Sequence, residues 1–156
     1  MSEAITPKIE VDDRLLFQVF NEIGIIEQLA RAQFEAVMPD GLKLPHFSVL
    51  NHMVRLGDGQ RPVDLARAFQ VTKGTITNTL GRLETRHAIR LEPDGEDGRT
   101  KRVYLTAAGR DLHARSIEAL IPAFQPLKAA IAPERFEAAL PFLAELRRYL
   151  DQARDG

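Results

Sequence analysis

Cysteine is absent from the 156 residues of the chain. This absence excludes disulfides, zinc sites built on cysteine and thiol-based redox switches, and it fits a reducing compartment. The segment from Met1 to Lys8 lacks the basic start and apolar run of a signal peptide, and no apolar run elsewhere is long enough to cross a bilayer. We therefore expect a cytoplasmic protein with no membrane partner.

Recognisable catalytic motifs are also missing. The sequence has no nucleophile elbow, no phosphate-binding glycine loop and no metal-binding motif. Its serines stand in no motif that would pair them with a histidine base, and its four histidines are too scattered for close metal-ligand spacing. We expect neither an enzyme nor a bound metal or cofactor.

Charge is unevenly distributed along the chain. The formal net charge is −1 at pH 7, but the segment 61–102 holds nine Lys or Arg residues against six acids. That segment carries +3, whereas the remainder of the chain carries −4. A local excess of positive charge suits contact with a polyanion such as nucleic acid.

Apolar spacing predicts a mainly helical chain. Steps of three and four residues mark one long helix from Asp12 to Met38, which the Pro39 to Gly41 segment ends. Further helices are predicted at 45–56, 62 to about 70, 72 to about 87, from 106 onward, and 133 to about 153. We expect Pro122 to break the helix that begins at Thr106, and Pro141 to kink the last one.

An extended pattern interrupts the helices. Residues 88–92 and 102–105 alternate between apolar and polar, and residues 93–98 form a turn-rich acidic loop, which together predict a β-hairpin. Ahead of it, Val63, Ala66 and Phe69 are predicted to be the buried side of a short helix that a tight turn joins to the next helix. The predicted fold class is mainly α with a small β-hairpin wing, a winged helix-turn-helix.

The helix after the tight turn begins with a polar face. Ile76, Leu80 and Leu83 turn inward, and the outward set is Lys73, Gly74, Thr75, Thr77, Asn78 and Arg82. These residues suit a DNA major groove: the basic ones for phosphate or guanine, asparagine for adenine, and threonine through its hydroxyl or its methyl group. A merely solvated face is the alternative, and the adjoining hairpin favours the DNA interpretation.

The hairpin tip supplies a second candidate contact. Arg99 and Lys101 can reach a minor groove, where negative potential favours arginine. Four nearby acids oppose this interpretation. We interpret one of them, Asp97, as a brace that orients Arg99 or a backbone amide, with an inert solvated loop as the alternative.

These segments together resemble the MarR family of bacterial transcriptional regulators. The resemblance rests on Leu65-Ala66-Arg67 through Thr72, Thr75 through Leu83-Glu84, Asp97-Gly98-Arg99 and Leu105-Thr106-Ala107-Ala108-Gly109. It implies recognition-helix contacts by Lys73, Gly74, Thr75, Thr77 and Asn78, a minor-groove contact by Arg99 and a bracing role for Asp97. The chain departs from the family pattern at Gly98, where a second arginine is frequent, and at Arg61, where a capping hydroxyl is common.

The resemblance covers the terminal helices as well. The length of the chain favours one domain over 1–156, and the resemblance implies a DNA-binding lobe at 42–106 with dimerisation helices at 10–39 and 107–153. The candidates for an interface between two copies are apolar residues of these helices: Leu15, Leu16, Val19, Ile117, Leu120, Phe142, Leu146, Tyr149 and Leu150. The alternative is that these residues only cover the core of a monomer.

The expected function is therefore sequence-specific binding of double-stranded DNA by a homodimer. Two recognition helices about 34 Å apart would read a pseudo-palindromic operator. The resemblance implies a repressor that a small, often aromatic or phenolic, effector releases by favouring a state with the wrong helix separation. A winged-helix module that binds protein instead of DNA is the competing interpretation.

Overall fold

The protein is described by a computed structural model over residues 9–95 and 98–155. Within these residues it has six α-helices and one antiparallel β-hairpin, in an order that confirms the predicted winged helix-turn-helix. The helices are α1 (Val11–Val37), α2 (Leu44–Leu56), α3 (Pro62–Ala68), α4 (Lys73–Thr85), α5 (Ala107–Ala130) and α6 (Pro133–Asp155). The strands are β1 (Ile89–Asp94) and β2 (Thr100–Leu105), and a 3-10 turn at Pro39–Gly41 follows α1.

The core lies between α2, α3, α4, the hairpin and α5. Its fully buried side chains include Leu42, Leu50, Met53, Leu65, Ile76, Leu83 and Val103. The predicted inward residues of α4, Ile76, Leu80 and Leu83, are all buried, as expected from their helical spacing. This core fixes the orientation of α4, so its remaining faces point away from the protein.

The hairpin is longer than the sequence predicts. β1 extends through Pro93 to Asp94, which pairs with Thr100, so only residues 95–99 separate the strands. Proline is compatible with this edge position because its missing N–H need not join the ladder. A bridge between Gln60 and Val103 ties the hairpin to the segment ahead of α3.

Two further predictions from the sequence are wrong. Val63 is 52% exposed, and the buried residues of α3 are Leu65 and Ala66, because a seven-residue helix has too few turns for apolar spacing to define one face. The helix α5 also continues through Pro122 without a break. The carbonyl that loses its hydrogen-bond donor there belongs to Glu118, which is exposed, so water can replace the missing donor.

The terminal helices contribute little to this core. No residue of α1 is buried, and none of the described side chains of α6 is buried. Leu16 and Phe142 are 56% and 53% exposed, and the other candidate interface residues except Leu120 are exposed or half-buried. Leu120 differs because it is only 6% exposed and packs in the core of the single chain, so it is not available to a partner.

One long-range hydrogen bond joins α6 to the helix-turn-helix. Gln70 lies in the turn between α3 and α4 with a left-handed backbone, φ 58°. Its side-chain Nε2 donates to Asp151 Oδ1 of α6 at 2.6 Å. The turn ahead of α4 is therefore in direct contact with the C-terminal helix.

Candidate nucleic-acid interface

The start of α4 is shaped by its cap. Thr72 has extended backbone angles, and its Oγ1 accepts a hydrogen bond from the Thr75 N–H at 3.1 Å, which confirms it as the N-cap. No acid lies in the first turn, so nothing there offsets the partial positive charge of the helix N-terminus. This end of the helix suits a phosphate or another electronegative group.

The predicted contact residues of α4 all lie on its exposed surface. Lys73, Gly74, Thr75, Thr77, Asn78 and Arg82 are exposed, and the buried residues occupy the opposite side. Successive residues are 100° apart on a helix, which separates these six into adjacent stripes. Gly74 and Asn78 point most directly away from the core, whereas Lys73 and Thr77 lie on the hairpin side of α4.

A groove runs between α4 and the hairpin. It encloses 510 Å³, and the charged and polar side chains along it are Arg61, Lys73, Thr77, Glu84, Arg99, Thr100 and Lys101. Four of the predicted site residues, two from α4 and two from the hairpin, therefore border one concave surface. Thr75 is not among them, because it faces a separate depression beside Pro45 and Val71 of the α2 side.

Arg61 is a member of this groove that sequence reasoning missed. Arg61 stands where the family often has a capping hydroxyl, and the structure gives it no capping hydrogen bond. Its guanidinium instead pairs with Asp64 at 3.0 Å while the side chain lines the groove. The signal that could have found it is its place directly ahead of Pro62 in the basic segment.

Local ion pairs account for two of the acids near the wing. Asp94 pairs with Arg102 at 2.9 Å, and Glu92 pairs with Arg90 at 2.7 Å. The hydrogen bond that Arg90 Nε donates to Glu92 raises the pKa of Arg90, whose guanidinium also lies 5.0 Å from the centre of the Tyr104 ring. These two carboxylates are partly neutralised by Arg90 and Arg102, and the pairs leave the net charge of the wing unchanged.

The hairpin tip is closed by glycine. Gly95 and Gly98 have φ values of 84° and 64°, in the left-handed region that side chains other than glycine rarely adopt. A glycine at position 98, where the family often has a second arginine, fits this turn. Asp97, the predicted brace, lies outside the described residues.

The wing exit holds the hairpin against the end of α4. Thr106 Oγ1 accepts from the Gly109 N–H at 3.0 Å and caps α5, and the Thr106 N–H donates to the carbonyl of Ala88 at 3.1 Å. A Cβ at Gly109 would lie 1.9 Å from that same carbonyl oxygen. The Leu-Thr-x-x-Gly segment thus serves packing, because only glycine allows α5 to approach the start of β1 this closely.

The threonines of α4 are linked by hydrogen bonds that fix their hydroxyl groups. Thr72 Oγ1 and Thr75 Oγ1 are hydrogen-bonded at 2.9 Å. Thr77 Oγ1 donates to the carbonyl of Lys73 at 2.8 Å, and Thr85 makes the same type of bond to Gly81 at 3.0 Å. These bonds decide whether each hydroxyl can still donate a hydrogen bond to a ligand or can only accept one.

The histidines lie apart from this groove. His113 bonds Asn51 at 3.0 Å and stacks on Phe47, and burial lowers its pKa. Burial is also the main cause that lowers the pKa of His46, with Arg86 and Arg82 adding to it. Among the described residues no group of three or more His, Asp or Glu side chains could hold a metal ion.

The fold and its basic groove define a winged helix-turn-helix protein, and comparisons with known proteins place it further. The model of the MarR family matches residues 40–100. The transcriptional regulator HosA of Escherichia coli is 31% identical over 100 residues, which are 64% of this chain and 73% of HosA. The chain belongs to the MarR family of transcriptional regulators, as its resemblance predicts.

A second relative is a transcriptional activatory protein. BadR of Rhodopseudomonas palustris is 28% identical over 109 residues, which are 69% of this chain and 61% of BadR. The match thus spans less than two thirds of BadR. Both relatives are named as regulators of transcription, which favours the DNA interpretation over a protein-binding module.

Solved structures share the fold. BpsR of Bordetella bronchiseptica, whose DNA binding is regulated by 6-hydroxynicotinic acid, superposes with a TM-score of 0.74 at 24% identity, covering 83% of this chain and 98% of BpsR. A MarR variant from E. coli in complex with operator DNA also gives 0.74, at 18% identity, covering 86% of this chain and 98% of that protein. At these identities the likeness shows a common fold. In addition, no helix within the described ranges is long and apolar enough to span a bilayer.

Proposed function

We propose that this protein is a homodimer that binds duplex DNA, with α4 in the major groove and the hairpin tip in the adjacent minor groove. The observation that carries the proposal is the groove in which Lys73 of α4 faces Arg99 and Lys101 of the wing. In this placement the phosphate strand between the two grooves of DNA crosses a surface lined by cations. Arg61, directly ahead of α3, lines the same path while its guanidinium pairs with Asp64.

The other exposed residues of α4 extend this proposed interface. Asn78 points away from the core and can bond adenine N6 and N7 together, and Gly74 lets the backbone approach the groove closely. Arg82 lies one turn further along the exposed side, within reach of guanine or phosphate. We assign Asp97 the bracing role that the family resemblance implies.

The proposal requires two copies of the chain. One module of this size contacts too few base pairs to bind much more tightly than it binds nonspecific DNA. The terminal helices offer apolar side chains that the single chain leaves exposed, including Leu15, Leu16, Phe142, Tyr149 and Leu150. In this proposal the lobe 42–106 binds DNA, and helices in 10–39 and 107–153 pair around a two-fold axis so that both α4 helices reach one face of a pseudo-palindrome.

The proposed outcome on the promoter is repression, by occupation of a site that the polymerase needs. BadR, in contrast, is named as an activatory protein. We therefore expect the position of the operator relative to the promoter to decide whether binding represses or activates transcription. A reporter placed under the protein's own selected operator, at two spacings from the promoter, measures this directly.

We also propose release by a small aromatic effector. A largely apolar cavity of 480 Å³ lies between α1, the end of α3 and α6, with Phe20, Leu143 and Leu146 among its walls and Arg147 at its edge. Gln70 and Asp151, the hydrogen-bonded pair, also line it. A ligand there would contact both the dimerisation helices and the turn ahead of α4, and so would bias the separation of the two recognition helices.

Binding to DNA selected from a random pool, measured against salt concentration, tests the proposed function. The affinity of the wild type should fall steeply with salt because bound phosphates release counterions. Arg99→Ala should weaken binding to all sequences and reduce the salt slope by about 1, whereas Asn78→Ala should cost about 1–3 kcal/mol and relax the preference at one base pair.

Arg135→Ala is the matched control, because it removes the same charge from α6 rather than from the groove. It should leave the salt slope unchanged. A flat salt response of the wild type, or wild-type affinity and selectivity in both groove variants, would rule out the proposed interface.

A further inference from the structure

We propose that Thr77 is a specificity-determining residue that reads an exocyclic amino group, on adenine or cytosine, in the major groove. The inference rests on the proposed function and adds the chemical class of base that this position selects. Its basis is whether each hydroxyl group on α4 can donate or only accept a hydrogen bond. Hydrogen bonds within the DNA-free protein decide this.

The hydroxyl proton of Thr77 is used in a hydrogen bond within the protein. Thr77 Oγ1 donates to the carbonyl of Lys73 at 2.8 Å, and because a carbonyl oxygen can only accept, the direction of this bond is fixed. The oxygen of an exposed side chain then presents only lone pairs to the groove. A group in this state pairs with a donor and has nothing to offer another acceptor.

This state excludes two kinds of DNA contact. Phosphate oxygens are acceptors, so Thr77 cannot hydrogen-bond the backbone while its proton stays on Lys73. Guanine and thymine expose only acceptors along the major-groove edge, guanine through N7 and O6 and thymine through O4. The donors in that groove are the amino groups N6 of adenine and N4 of cytosine, so these two bases are the ones that Thr77 can bond.

Thr75 on the same helix provides the opposite case. Its Oγ1 lies 2.9 Å from Thr72 Oγ1, and because either hydroxyl can donate in such a pair, no carbonyl holds the Thr75 proton and it can turn to another acceptor. Thr75 can therefore serve a phosphate, guanine or thymine. Two threonines two residues apart, which look interchangeable in the sequence, thus have complementary capacities, and only Thr77 is restricted to amino-bearing bases.

The test compares two replacements at position 77. Thr77→Val keeps the methyl group and removes the hydroxyl, whereas Thr77→Ser keeps the hydroxyl and its bond to Lys73 but removes the methyl group. Selection from a random DNA pool with the wild type and with each variant should reveal one position at which the wild type and Thr77→Ser prefer adenine or cytosine and Thr77→Val does not. Thr85→Val removes the same type of helical bond at the far end of α4 and should select the wild-type sequence.

Base analogues then test the amino group itself. At that position purine replaces adenine, or pyrimidin-2-one replaces cytosine, so that only the amino group is lost. The wild type and Thr77→Ser should lose about 3- to 10-fold in affinity, as expected for one hydrogen bond, and Thr77→Val should lose none.

Three results would overturn the proposal. Thr77→Val could keep the wild-type preference, which would show that the hydroxyl reads no base. Thr77→Ser could lose a preference for thymine that Thr77→Val keeps, which would assign the reading to the methyl group. Finally, the wild type could enrich no sequence at all. This result, unlike the first two, would also contradict the proposed function, which is sequence-specific DNA binding.

Discussion

The winged lobe and the terminal helices differ in how far they bury their apolar side chains. In the lobe, residues such as Leu50, Leu65 and Leu83 are completely buried in one core shared by helices and hairpin. In α1 and α6, residues such as Leu16 and Phe142 stay more than half exposed. Both regions have comparable amphipathic patterns, so composition does not separate them.

The difference shows which part of the fold is complete in one chain. The lobe buries most of its apolar residues and exposes only scattered ones such as Leu56 and Val63, whereas the terminal helices leave an apolar surface of the kind that marks an interaction site. We infer that these helices finish packing only against a second copy. The predictions that follow test this contrast, from the largest expected effect to the smallest.

The combined substitution Leu16→Asp and Phe142→Asp should separate the dimer. Both side chains are exposed in the single chain, so the charges should leave the lobe folded while opposing association. Light scattering should give the mass of one chain, circular dichroism should still show the helices, and affinity for the selected operator should fall by at least about 100-fold, toward nonspecific binding.

Leu56→Asp provides the matched control for mass. Leu56 is an equally exposed apolar residue, but it ends α2 in the lobe. This variant should keep the mass of the wild type. A wild type that is monomeric at micromolar concentration, or a dimer that survives both charges in the terminal helices, would contradict the contrast between the two regions.

Replacing glycine by alanine should have opposite effects in the two regions. Gly109→Ala places a methyl group 1.9 Å from the Ala88 carbonyl and should lower the free energy of unfolding by about 1–3 kcal/mol. Gly24→Ala in α1 meets no atom within 4 Å and should raise it by up to about 1 kcal/mol through helix propensity. Urea denaturation measures both, and equal effects would show that α5 does not hold the hairpin start as closely as described.

Mild acid should have the smallest effect, on the contact between α2 and α5. Burial lowers the folded-state pKa of His113 below 6.5, so the unfolded chain binds the proton more readily. The free energy of unfolding should therefore fall as the pH drops through 6.5 toward the folded pKa, and it should be insensitive above that range. His113→Gln, measured by denaturation between pH 7.5 and 5.5, should reduce this dependence to the part that His46 contributes, and an unchanged slope would contradict the assignment.

Much of the fold could be predicted from local chemistry. Thr72 and Thr106 cap their helices as expected, and the inward residues of α4 follow from a period repeated over several turns. Local signals failed where tertiary packing or solvent decides the outcome. The exposure of Val63 and the continuation of α5 through Pro122 depend on neighbours and water that a sequence window does not contain.

The candidate site shows the same division. Spacing along α4 was enough to predict which residues point outward, and all six are exposed. The burial of Leu120 and the proton state of Thr77 were not predictable, because each depends on contacts between particular atoms. Types and positions of residues follow from sequence, whereas donor and acceptor capacity follows only from coordinates.

The bond between Gln70 and Asp151 has a mechanical consequence for such a protein. It is exposed, so water can take the place of either partner at little cost, and it joins the C-terminal helix to the residue two positions ahead of the Thr72 cap. In the proposed homodimer, a small rotation of the terminal helices would either strain this turn at Gln70, which already has a left-handed backbone angle, or exchange the bond for water and uncouple α6 from the turn. Where the bond holds, the two-fold symmetry of the proposed homodimer would give both α4 helices the same displacement.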